Sequence, residues 1–129
     1  ERLAWARLEA KRITAESEED AIKGVMEDMV EALSTMHGSP EYKAFLRQAV
    51  EKAAEELGGN VVIHVLKGEK AYLQKAKNAK IEEDLDGLGG AIVETADGRV
   101  RINMTLETLL ESGRDDLRKK IYMRLFGGK

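Results

Sequence analysis

The chain has 129 residues, enough for one domain with one modest core, and is 43% hydrophobic, 5% aromatic and 35% charged, a composition that favours helices. Its net charge of -3, from 21 basic and 24 acidic residues interspersed along the sequence, sets up no field for a phosphate backbone and argues against a nucleic-acid partner. The absence of cysteine excludes disulfides, thiolate metal sites and cysteine nucleophiles, and no apolar run approaches the roughly 20 residues of a membrane span.

Residues 1 to about 36 contain no proline and a single glycine, Gly24, among strong helix formers, which predicts one long helix. Leu3, Ala6, Ala10 and Ile13 recur at spacings of three and four, a narrow seam weighted towards alanine. After the polar run 16–20, Ile22, Val25, Met26, Met29, Val30, Leu33 and Met36 form a broader stripe suited to a globular core. The seam fits either a slender partner helix or a solvated helix end. The helical pattern is present from Glu1 without a preceding signal segment, and is read as the end of a longer helix that begins upstream. Residues 1–20 are therefore expected to be the end of a long protruding N-terminal helix, and 21–129 a C-terminal globular domain.

"HGSPEY" (37–42) reads as a helix stop followed by a start, with Gly38 as a left-handed cap, Ser39 as N-cap and Pro40 in the first turn. A second helix follows and ends at Gly58-Gly59. "NVVIHVL" (60–66) predicts a buried strand, residues 69–79 a short helix with Leu73 and Ala76 inward, and 80–85 an acidic edge strand. "AIVETA" and "RVRIN" alternate around Asp97-Gly98, the signature of a hairpin, with Val100 and Ile102 on one face of the second strand. Thr105 can cap a last helix in which Leu106, Leu110, Leu117, Ile121 and Leu125 share a face. Gly113, on the same stripe, permits either a close neighbour or a bend. The expected fold class is α+β, a small mixed sheet packed with helices, in the order α-α-β-α-β-β-β-α.

The search for chemistry comes back empty. Gly87, Gly89 and Gly90 precede a strand, whereas a phosphate cradle needs a helix N-terminus after its glycines. Glu82, Glu83, Asp84 and Asp86 lack the alternate spacing of a calcium loop, and read as a solvated edge. His37 and His64 have no second imidazole or thiolate at ligand spacing. Ser17, Ser34, Ser39 and Ser112 lie in helices or caps, outside any nucleophile elbow. No catalytic, cofactor-binding or metal-binding residue is therefore assigned, and no cofactor is expected.

The stretches "GLGGAIVETADGRVRINMTLETLL" and "DDLRKKIYMRLFGG" resemble the C-terminal part of the E subunit of the archaeal-type and vacuolar-type rotary ATP synthases. The resemblance runs through Gly89, Gly90, Val93, Asp97, Gly98, Val100, Ile102, Thr105, Asp116, Leu117, Leu125, Phe126 and Gly127. Asn103-Met104 stand where the family usually has Asp-Asn, and Leu109 where an arginine is common. The resemblance implies a non-catalytic peripheral-stalk protein at the cytoplasmic face of a membrane complex, holding the catalytic head against rotor torque. It also implies that Leu3, Ala6, Ala10 and Ile13 face a helical partner subunit (H in archaea, G in vacuolar enzymes), while the globular end docks on the A and B subunits of the head. It implies structural roles for Gly89, Gly90, Asp97, Gly98, Thr105, Leu125 and Phe126. Rival readings are a self-associating coiled-coil adaptor and a small cation-dependent enzyme using the acidic residues 82–86.

Overall fold

A computed structural model of the chain describes residues 1–74 and 76–127. Lys75, inside the helix expected over 69–79, lies outside the described residues, as do Gly128, in the family-like closing stretch, and Lys129. The chain divides into two compact units, one of Glu1–Glu31 with Gly113–Lys129 and one of Ala32–Ser112.

The first unit is helical. Helix α1 (Arg2–Ser34) is the long helix that its composition demands, and Arg12 braces it by pairing with Glu9 one turn back and Glu16 one turn on. Exposed pairs of this kind contribute little, because water screens them. The last helix of the chain (Arg114–Phe126) carries Asp115 and Asp116 in its first turn and Arg124 in its last, charges that complement the helix dipole. It runs antiparallel to α1: Arg118 pairs with Glu19, and Tyr122 and Phe126 share a groove with Glu18, Thr14 and Ile13. Ile22 and Ile121 are buried.

The second unit is a four-stranded mixed sheet with helices against it. Helix α2 (Pro40–Leu57) starts as expected, with the Tyr42 N–H donating to Ser39 Oγ at 3.1 Å and proline in the first turn, and ends at Gly58 with φ 68°. Strands β1 (Val61–His64), β2 (Ala79–Glu82), β3 (Gly90–Thr95) and β4 (Arg101–Thr105) lie in the order β2-β1-β3-β4. β1 and β2 are parallel, and the other pairs are antiparallel. The parallel pair needs a crossover, which falls between them and includes a 3₁₀ turn (Lys70–Leu73). Tyr42, Leu46, Val50 and Ala53 of α2 form the core with Val61, Ile63, Ala91 and Val93 from the same face of the sheet. Leu46 and Ile63 are wholly buried, and a side chain of this size contributes about 1.5–3 kcal/mol when taken from water.

The α+β class and the expected element order are present, with four local corrections. Helix α1 ends at Ser34 rather than near residue 36, and Gly38 is not left-handed. The stop is made instead by Thr35, whose N–H and hydroxyl both donate to the Ala32 carbonyl, at 3.2 and 2.9 Å. The helix expected over 69–79 shrinks to the 3₁₀ turn, although Leu73 is buried as foreseen. Val100 falls outside β4 and is exposed, because residues 96–100 are used by the turn. The final helix is two, α3 (Leu106–Ser112) and the Arg114–Phe126 helix, now α4, interrupted at Gly113 with φ -98° and ψ 8°. Its backbone leaves the α region, which interrupts the helix at Gly113.

Candidate functional site

Exposed apolar side chains of the first unit lie along α1. Leu3 and Ile13 are 58% and 55% exposed, and Ala6 and Ala10 between them are also exposed. All four seam positions are therefore accessible within the unit. Sequence spacing missed Trp5 and Leu8, each 67% exposed and on another face of the same turns. At the other end of the seam, Ile13, Ser17 and Ala21 meet Tyr122 and Phe126 of α4 around an open groove. Helix α4 thus covers the face of α1 that the seam continues, and leaves residues 3–10 of that face bare. Met123, Leu125 and Phe126 remain exposed at the end of α4, so Leu125 does not sit in a core.

The family-like stretch has a separate role in the second unit. Gly90 opens β3 at φ 86° and pairs with Thr105 across the ladder. A Cβ there would fall well inside van der Waals distance of the Met104 carbonyl and 2.8 Å from Thr105 Cα. At Gly89, φ 124°, a Cβ would meet the Tyr42 hydroxyl at 2.7 Å. These glycines let the chain pass between β4 and the Tyr42 ring. Asp97 holds the hairpin turn by accepting from the Thr95 hydroxyl at 2.6 Å and the Arg99 N–H at 3.0 Å, bonds that keep its carboxyl below the usual range. Gly98 takes φ 73°. Thr105 Oγ1 accepts from the Thr108 N–H at 3.3 Å, the expected cap. Asn103 Oδ1 in turn accepts from the Thr105 N–H and hydroxyl, at 3.0 and 2.6 Å. The residue that departs from the family's usual Asp therefore still supplies an acceptor.

Two polar clusters were invisible to motif reading. The buried Tyr42 hydroxyl donates to Glu69 Oε1 at 2.6 Å and accepts from the Gly90 N–H at 2.9 Å. Burial holds both ionisations up, Glu69 and Tyr42 alike. Beside them, His37 stacks edge-on against Tyr42 and hydrogen-bonds the Leu88 carbonyl. In the other cluster, His64 lies between Asp84 and Glu94, with ring nitrogens 2.7 and 2.8 Å from the two carboxylates.

The acidic residues 82–86 do not converge. Glu82 pairs with Lys80 at 3.1 Å, Glu83 accepts from the Gly68 and Lys70 N–H groups at 2.6 and 3.2 Å, and Asp84 faces His64. Among the described residues no group of three or more His, Cys, Asp or Glu is arranged to hold a metal ion, and no helix is long and apolar enough to cross a membrane. What the described residues offer is a bare apolar helix face in the first unit and, in the second, a hairpin whose turn is held by Asp97.

The model of the ATP synthase (E/31 kDa) subunit family matches residues 2–126. The chain is 32% identical over 134 residues to the A-type ATP synthase E subunit of Pyrococcus horikoshii, covering 95% of this chain and 67% of that one. It is 30% identical over 131 residues to the corresponding A-type protein of Natronomonas pharaonis, covering 98% and 68%. With that of Thermoplasma volcanium the identity is 29% over 121 residues, covering 93% and 64%. The chain thus spans about two thirds of the length of these relatives. It belongs to the ATP synthase (E/31 kDa) subunit family.

Proposed function

We propose that this member of the ATP synthase (E/31 kDa) subunit family is a non-catalytic stator protein, part of a peripheral stalk that links the catalytic head to the membrane sector and resists rotor torque. Residues 1–20 are the partner segment, pairing through Leu3, Ala6, Ala10 and Ile13 with a helical stalk subunit, H in archaea or G in vacuolar enzymes. Residues 21–129 form the part that docks on the A and B subunits of the head at the cytoplasmic face. Gly89, Gly90, Asp97, Gly98 and Thr105 build the hairpin unit of that part, and Leu125 and Phe126 end the helix lying on α1.

The observation that carries this reading is the bare seam. Leucine and isoleucine sit on one face of a long helix at more than half exposure, and each would contribute about 1.5–3 kcal/mol if a partner covered it. Alanines between them allow a close helix-helix approach. A stalk needs such a surface, and a catalytic site does not.

Isothermal titration of the chain with the helical stalk subunit should show saturable binding. Leu3→Glu should weaken it at least about tenfold, the equivalent of one lost apolar contact of about 1.4 kcal/mol. Titration with magnesium, calcium or ATP should give no binding heat. Tight binding of ATP or of a divalent cation, with indifference to the helical stalk protein, would overturn the proposal in favour of an enzyme.

A further inference from the structure

We propose that His64 is a proton-operated latch for the Asp84 side chain, in the connection between β2 and β3, closed when the imidazole is charged and releasing Asp84 when it is neutral. The inference rests on geometry independent of the stator reading.

His64 ends β1 on the sheet face opposite α2, since Val61 and Ile63 take the buried side. Its Nδ1 is 2.7 Å from Asp84 Oδ1, in the connection after β2, and its Nε2 is 2.8 Å from Glu94 Oε1 on β3. The flanking groups are few. Arg101 on β4 approaches Glu94 at 3.6 Å, and Glu82, the residue beside His64 in β2, is engaged by Lys80.

Both partners of the ring are acceptors. A neutral imidazole has one N–H, so it can donate to only one of them and turns a lone pair towards the other; an imidazolium donates to both. The observed arrangement is therefore satisfied in full only by the charged ring. The imidazole ionisation is accordingly held above its ordinary value, by the bond to Glu94 most of all; burial opposes the rise, and Asp84 adds to it.

The direction of release follows from the surroundings. The Glu94 side chain is 19% exposed and keeps Arg101, whereas Asp84 is 58% exposed and has water within reach. On losing the proton, His64 keeps its bond to Glu94 and lets Asp84 go. Because the folded-state ionisation is raised, the latch is fully closed below the ordinary histidine value of 6.5, and its stabilisation is lost as pH rises through the raised value. The cluster of His64, Asp84, Glu94 and Arg101 changes from balanced charge to net negative over the same range.

Nuclear magnetic resonance on the whole chain tests this with His37 as the second imidazole for comparison. At pH 6 both ring nitrogens of His64 should be protonated, its titration midpoint should lie above 6.5, and the Asp84 carboxylate carbon should titrate with the same midpoint. Glu94→Gln should lower that midpoint more than Asp84→Asn. A His64 midpoint at or below 6.5, or an Asp84 signal that ignores the His64 titration in the unmutated chain, would overturn the latch.

Discussion

Gly90→Ala is expected to destabilise the second unit by about 2–5 kcal/mol, from left-handed strain of roughly 1–2 kcal/mol together with overpacking of about 1–3 kcal/mol. The two contributions have separate causes. The strain comes from φ 86°, and the overpacking from a methyl group driven against the Met104 carbonyl and Thr105 Cα. Both obstacles are backbone of the neighbouring strand, so no side-chain rotation relieves them. Gly98→Ala isolates the first cause, because Gly98 has φ 73° with nothing within 4 Å of the added methyl, and should cost only about 1–2 kcal/mol. Urea unfolding of both variants measures the difference. Equal losses would show that β3 and β4 can part at Gly90 without penalty, and that the glycine is there for its dihedral angles alone.

Tyr42→Phe is expected to cost about 2–4 kcal/mol at neutral pH, since it strands the Gly90 N–H and removes the one hydroxyl donor of a buried carboxylate. Phenylalanine fills the ring's place, so cavity formation adds little. The loss should depend on pH. Burial raises the Glu69 ionisation, and the bond from Tyr42 partly restrains it. Without the hydroxyl it rises further. A carboxyl raised in the folded state lends stability below its unfolded value of 4.5, and this is lost as pH climbs through the folded value. The deficit of Tyr42→Phe should therefore be smaller at pH 4 than at pH 7 in urea unfolding. The same deficit at both would show that Glu69 does not depend on Tyr42.

Much of the fold was legible because its signals are local. Ser39-Pro40 start α2 and Gly58 ends it through side-chain and dihedral preferences that act within four residues. The hairpin was equally plain, since Asp97-Gly98 sits between two alternating runs and the Asp97 carboxylate itself holds the turn. The break at Gly113 was not decidable, because a glycine on an apolar stripe serves a bend or a close neighbour equally well, and only the dihedral angles reveal that the helix stops there. Val100 misled because alternation continues into a turn without any change of residue type.

The exposed apolar faces were half visible. Spacing of three and four picked out Leu3, Ala6, Ala10 and Ile13, but it could not show that α4 takes over the continuing face at Ser17 and Ala21, for that requires knowing where residue 126 returns. Trp5 and Leu8 escaped notice because two residues without a further repeat make no stripe. The His64 cluster was hidden for another reason. Residues 64, 84 and 94 come together through strand order and register, and no sequence spacing encodes a mixed sheet with β1 at its centre.

The seam on α1 is the heart of the stator proposal, and the mass of the complex tests it most directly. Light scattering on the chain mixed with the helical stalk subunit should give the mass of one copy of each, and Ala10→Glu, which sets a charge on the seam without touching the second unit, should return the mixture to separate components. A mixture in which both proteins run at their own masses, or in which this chain pairs with itself through α1 and ignores the stalk partner, would contradict it.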